Sequence, residues 1–151
     1  MKIEEKIKEL GIEIPDAAAP AAMYVPVKQT GNLLFISGQI PVLDGKMQFT
    51  GKAGKDKTLE EAQAAARLCA INIIAQVKAY VGDLDKVKSI VKITAFVASE
   101  TGFDKQHLVA NGASELLFEV FGEAGRHTRS AVSVNQLPLD ATVEVEAIVE
   151  I

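Results

Sequence analysis

The feature that most restricts the fold is a long amphipathic segment at about residues 59–81. Thr58-Leu59-Glu60-Glu61 has the form of a capping box, in which Thr58 and Glu61 satisfy backbone N–H groups that the first helical turn leaves free. Ala62, Ala65, Ala66, Cys69, Ile73, Val77 and Tyr80 recur at helical spacing, and Gly82 supplies the stop. Ile71 and Ile74 widen this apolar stripe. A stripe that broad calls for contact with both a sheet and a neighbouring helix, which points to a layered architecture.

The rest of the chain supplies both partners. A second helix is expected over about 104–121, with Val109, Ala113, Leu116, Leu117 and Val120 buried and Gly122 and Gly125 ending it. Strands are expected at 24–27, 33–37, 87–97, 129–135 and 142–151. Pro26 marks the first as an edge strand, whereas 33–37 is apolar throughout and reads as buried on both sides. Gly31-Asn32 and Asp44-Gly45 are turn signals, the latter leading into Met47-Gln48-Phe49. This order predicts an α+β two-layer sandwich, a mostly antiparallel sheet backed by two helices. Ile3, Ile7 and Leu10 add a short amphipathic helix closed by Gly11. The domain reading is therefore a helical extension over 1–16, an Ala-rich loop around 17–22, and a single domain spanning 17–151.

Composition narrows the function. A chain of 151 residues, 48% hydrophobic and 24% charged, suits one soluble domain. A net charge of −4 disfavours a nucleic-acid partner, because affinity for phosphates rests on Lys and Arg. The one cysteine, Cys69, excludes an intramolecular disulfide and a cysteine-rich metal site; its place in the helical stripe reads as a small buried hydrophobe. The stretch from Met1 to Lys6 lacks the apolar core of a signal peptide. No apolar run approaches the roughly 20 residues that span a bilayer. These features read as cytoplasmic, with no membrane partner.

The last two strands carry the candidate chemistry. Val143, Val145, Ala147, Val149 and Ile151 alternate with Thr142, Glu144, Glu146, Ile148 and Glu150. In the strand before, Val132 and Val134 share one face and Arg129, Ala131 and Ser133 the other. If both valine-rich faces lie beneath the helices, Arg129 and Glu144 share the outer face, unless a bulge reverses the parity. Two readings of the pair stay open. One is an ion pair worth ~0–1 kcal/mol if exposed. In the other, Arg129 forks around a carboxylate while Glu144 handles a water or a proton.

Arg129-Ser130-Ala131-Val132-Ser133-Val134, then Leu137-Pro138, then Val143-Glu144-Val145-Glu146-Ala147-Ile148 resembles the C-terminal signature of the RidA/YjgF family, glutamate fifteen positions after arginine. Gly31-Asn32 with Ser37-Gly38-Gln39-Ile40-Pro41 resembles that family's N-terminal block, and Phe96-Val97 and Asn111 fall where its middle expects them. The resemblance covers about 17–151 and implies a chorismate-mutase-like fold, a homotrimer with clefts between subunits, and hydrolysis of reactive 2-imino or enamine acids to 2-oxo acids and ammonia. It implies no metal and no organic cofactor. By the same resemblance Arg129 binds the substrate carboxylate, Glu144 positions water, Tyr24, Ser37 and Asn111 line the pocket, and the main-chain carbonyl of Ala131 holds the departing nitrogen. Structural readings stand beside these: Tyr24 packing on an edge strand, Ser37 ending a strand, Asn111 solvated on a helix.

The chain also departs from the family pattern. Ala131 stands in place of Cys, His127-Thr128 in place of Pro-Ala, and Ala22-Met23 in place of Gly-Pro, which points to a divergent branch. His127 reads either as a proton-transfer group or as a residue that merely ends a strand. Two other functions are compatible with the family: a non-catalytic trimer that binds a small carboxylate, and a ribonuclease, which the acidic charge disfavours.

Overall fold

The computed structural model describes residues 2–20 and 22–151; Met1 and Ala21, one residue of the expected Ala-rich loop, lie outside the described residues. The long helix α2 spans Leu59–Val81 and is capped as its sequence dictates. Glu61 N donates to Thr58 Oγ1 at 3.2 Å and Thr58 N to Glu61 Oε1 at 3.0 Å, while Gly82 closes the helix at φ 81°. Helix α3, Gln106–Phe121, lies against α2, and Ala62, Ala65 and Ala66 are fully buried between them and the sheet. By length and composition alone α2 could cross a membrane, yet here its apolar stripe is consumed by α3 and the sheet. The stripe ends at Val77. Tyr80, expected within it, lies beyond the cover and is 47% exposed, its hydroxyl donating to Gln29 Oε1 at 3.0 Å.

Five strands form the main sheet in the order β1-β2-β7-β5-β6, with β1 at Val27–Thr30, β2 at Leu33–Gln39, β5 at Ser89–Ala98, β6 at Thr128–Val134 and β7 at Val143–Glu150. Every pairing is antiparallel except β5 with β6, which α3 joins as a crossover. Val42–Leu43 (β3) and Lys46–Met47 (β4) make a separate hairpin. Its turn residues Asp44 and Gly45 both have positive φ, as a tight two-residue hairpin requires.

Several boundaries differ from expectation for physical reasons. Residues 24–26 are not a strand: Pro26 has no N–H to give, and β1 begins one residue later at the sheet edge. Strand β2 is buried on one face only. Leu34 and Ile36 lie under the helices, but Phe35 is 41% exposed, because both helices sit on the same side of the sheet. In β5 a register shift around Val91 brings both Ile90 and Ile93 to the core. The N-terminal helix α1, Lys2–Glu9, is docked onto the same core through Ile7, 5% exposed. Reciprocal caps hold it: the Asp85 carboxylate accepts from Lys2 N and Ile3 N at 2.8 and 2.9 Å, and Glu4 Oε1 accepts from Leu84 N at 3.0 Å.

The alternation of β7 is as read, with Val143, Val145, Ala147 and Val149 buried. The parity expected for β6 is reversed. Its register sets Arg129 beside Ile93, Ala131 beside Ala95 and Val132 beside Phe96, while Glu144 of β7 also lies beside Phe96. Ile93 and Ala95 face the helices. Arg129 and Ala131 therefore point to the helical layer, and Val132 and Glu144 to the open face. The expectation that Arg129 and Glu144 share an outer face is corrected: within one chain they lie on opposite faces. Small Ala131 fits beneath α3, and Arg129 at the sheet edge runs its stem along that layer and delivers its head group to α3.

Candidate functional site

Two groups of candidate residues emerge, one at the β6 edge of the sheet and one where β2 meets the central strand β7. The first is built by β6 and α3. One Nη1 of Arg129 donates to Asn111 Oδ1 at 2.8 Å and to Ser114 Oγ at 3.1 Å, and Nη2 donates to the His107 carbonyl at 3.0 Å. His107, Asn111 and Ser114 are four and three positions apart on α3 and so share one face. All three partners are neutral, and among the described residues no carboxylate pairs with Arg129. Of the five guanidinium N–H groups, Nε–H and one Nη2–H have no such partner, so the head group is positioned but keeps both its charge and donors for an anion.

His127 belongs to the same group. Its Nδ1 lies 2.6 Å from the Gly125 carbonyl, which makes Nδ1 the protonated nitrogen and leaves Nε2 to accept from Ser114 Oγ at 2.8 Å. Burial, opposed by the Gly125 carbonyl and reinforced by the Arg129 charge, holds the imidazole below its ordinary pKa. A shallow groove of about 380 Å³ runs over Ser114, Phe118, His127 and Arg129.

The second group gathers where β2 ends beside β7. Glu144 is half-buried on the open face, and burial, then the charge of Glu146, push its carboxyl above the usual range. Gly38 lies opposite, at a register shift in β2, and any side chain there would collide with the Glu144 carboxylate. Ser37 serves this geometry internally: Oγ donates to the Val25 carbonyl at 2.8 Å and its N–H to the Pro26 carbonyl at 2.9 Å, fixing the segment that carries Tyr24. Tyr24 is 48% exposed and, with Gly38, borders a cavity of about 490 Å³.

The structure thus brings Arg129, Asn111 and Ala131 together at the β6 edge, and sets Glu144 against Gly38, the neighbour of Ser37 and a border, with Tyr24, of the larger cavity, but does not join the two groups within one chain. Sequence reasoning missed Ser114, whose signal is the polar spacing 107, 111, 114 along one face of α3; only the packing of β6 against α3 gives it meaning. It also missed Asn72 and Gln76, the only polar residues between 69 and 77. Asn72 Nδ2 donates to the carbonyls of Ile40 and Val42 at 2.9 Å each, and Gln76 Nε2 to that of Ala18 at 2.8 Å, so these buried amides hold the loops that wall the larger cavity. Cys69, fully buried, has its thiol pushed well up by burial and serves as a core residue.

These features can be set beside known proteins. Protein TCP17 of Trypanosoma cruzi is 48% identical over 151 residues, covering 99% of this chain and 94% of its own. The crystal structure of protein Atu1372 from Agrobacterium tumefaciens superposes with a TM-score of 0.93 at 52% identity, covering 99% of this chain and 92% of that one. The 2-iminobutanoate/2-iminopropanoate deaminase of Escherichia coli K12 is 36% identical over 132 residues, 86% of this chain and 90% of the enzyme. The family model described as YjgF/chorismate mutase-like, putative endoribonuclease, matches residues 4–151. With nearly the whole chain matched and the two-helix, five-stranded layering in agreement, this protein belongs to the YjgF/chorismate mutase-like family.

Proposed function

We propose that this protein hydrolyses reactive 2-imino and enamine acids to 2-oxo acids and ammonia, at clefts between the subunits of a homotrimer. The observation that carries the reading is the uncompensated guanidinium of Arg129, fixed by three neutral acceptors with two N–H groups to spare. Such a group suits a planar carboxylate bound through two parallel hydrogen bonds. A 2-imino acid is already activated towards water, so the protein needs orientation and proton management rather than a strong nucleophile. Relatives named as 2-iminobutanoate/2-iminopropanoate deaminases, 36% identical, support the same chemistry.

Where the two groups lie supports this assembly. Arg129 belongs to one edge strand of the sheet, while Tyr24 precedes the other. A head-to-tail contact sets the β6 edge of one copy against the β1–β2 side of the next, and a closed ring repeats that contact. Such a contact would also cover Phe35 and Val132, 41% and 44% exposed on the open face. In each cleft Arg129 with Asn111 grips the carboxylate. The Ala131 carbonyl takes the departing nitrogen, and Tyr24, Ser37 and Glu144 of the neighbouring copy line the other wall, Glu144 aligning water. Burial raises the Glu144 carboxyl above its usual range, which makes it a better proton acceptor for the water it aligns. The residues supply these functions themselves, without a metal or organic cofactor.

The test is a coupled assay in which an amino-acid oxidase or a pyridoxal-phosphate lyase generates 2-iminopropanoate. The parent protein should accelerate formation of pyruvate, and Arg129→Ala and Glu144→Ala should each lose on the order of a hundredfold. A second reading, a carboxylate-binding trimer without turnover, is favoured by the three contacts that already tether Arg129 to α3. Tight pyruvate binding with no acceleration would establish it in place of the first.

A further inference from the structure

We infer that Ser114 and His127 form a proton relay coupled to carboxylate binding at Arg129, which delivers a proton to the departing nitrogen of the substrate. This inference rests on the deaminase reading of the same site. Its basis is a continuous hydrogen-bonded chain from Asn111 through Arg129, Ser114 and His127 to the Gly125 carbonyl, with links of 2.8, 3.1, 2.8 and 2.6 Å. Ser114 is the member that both touches the guanidinium and lines the open groove. A group attached next to a carboxylate on Arg129 therefore lies within reach of its hydroxyl. The base behind that hydroxyl is oriented by a third group, the arrangement that makes a hydroxyl useful for proton transfer.

The coupling is electrostatic. His127 shares its groove with Arg129 on β6, Arg126 on the segment before it and Glu115 on α3, while Glu123 is occupied by Arg126 at 3.2 Å. Burial and the Arg129 charge disfavour the protonated imidazole in the free protein. A bound carboxylate neutralises Arg129, so the imidazole then binds a proton more tightly. The step balances. Water oxygen bonds to the imine carbon, the C=N pair moves to nitrogen, and nitrogen takes one proton of that water. When the C–N bond breaks, its pair stays with nitrogen, which takes the Ser114 Oγ proton; His127 Nε2 refills Oγ, and the carbon hydroxyl loses its proton to solvent as the carbonyl forms. Imine and water become 2-oxo acid and ammonia, and His127 regains its proton from solvent.

Calorimetric titration of the assembled protein with pyruvate, in buffers of different ionisation enthalpy, tests the coupling. Pyruvate should bind with uptake of a fraction of a proton, and its affinity should rise as pH falls, by at most about tenfold per pH unit. In His127→Gln both effects should vanish while binding persists. In the imine assay Ser114→Ala should lose about a hundredfold in kcat with KM little changed, and Ser114→Thr should recover part of it. Proton uptake that survives in His127→Gln, or a Ser114→Ala enzyme with the parent's kcat and pH profile, would overturn the relay while leaving the deaminase reading in place. If pyruvate does not bind to the parent protein at all, the carboxylate grip itself fails and the relay with it, so the two failures are distinguishable.

Discussion

Replacing Gly112 with alanine is the sharpest test of how α2 and α3 hold the candidate site. Gly112 lies in the middle of α3, where alanine would ordinarily stabilise an exposed helix by ~1 kcal/mol. Here a Cβ would press into the Gln63 carbonyl of α2, its carbon at 2.8 Å and the Gln63 Cα at 3.1 Å. Both neighbours are backbone inside a helix, so neither can rotate away. The helices must separate, which strains the Gln63 Nε2 to Leu108 carbonyl bond of 2.9 Å and loosens the buried alanines between them. Overpacking of this kind costs about 1–3 kcal/mol and occasionally more. Backbone contact puts it at the upper end, and subtracting the helical gain leaves a net loss of roughly 2 kcal/mol. For a domain of this size that corresponds to a fall in Tm of about 4–8 °C, read by calorimetry or far-ultraviolet circular dichroism at fixed protein concentration. Displacing α3 also moves His107, Asn111 and Ser114 away from Arg129, so pyruvate affinity should drop with stability. A Gly112→Ala protein with an unchanged or higher Tm would refute the close crossing and the account of α3 as the scaffold of Arg129.

Other perturbations address separate parts of the molecule. Thr58→Ala removes the cap of α2 and should cost about 1 kcal/mol, seen as a lower urea midpoint at unchanged m. Glu144→Gln should lose turnover on the order of a hundredfold yet raise Tm slightly at neutral pH. The folded carboxyl pKa lies above its unfolded value, so the native carboxylate loses stability as pH rises through that folded pKa, and the amide carries no such loss; a lower Tm would contradict the burial assigned to it. Asp85, its carboxyl held at about 2 as it accepts from the Ile3 and Lys2 N–H groups, contributes its cap fully above the unfolded carboxyl range and loses it as pH falls towards 2. Hydrogen-exchange protection of α1, relative to intrinsic rates, should therefore fall in acid and, at neutral pH, in Asp85→Asn; equal protection in parent and variant would show that the Asp85 cap does not hold the helix.

Much of the fold was legible because its signals are local. A capping box, helical spacing and glycines at positive φ act within a few residues, so the bounds of α2, the hairpin at Asp44-Gly45 and the alternation of β7 could be read from the chain itself. The motif around Arg129 and Glu144 identified the family for the same reason. Tertiary structure decided which way Arg129 points. Strand β6 carries two valines on one face and Arg, Ala and Ser on the other, and hydrophobic periodicity favours valines inward. The parallel register with β5 and the close approach of α3 demanded a small residue instead, so Ala131 went under the helix and Val132 outward. That choice separated Arg129 from Glu144 within the chain and placed Ser114 and His127 at its side. A strand's own sequence defines two faces; only the elements packed around it determine which becomes the inside.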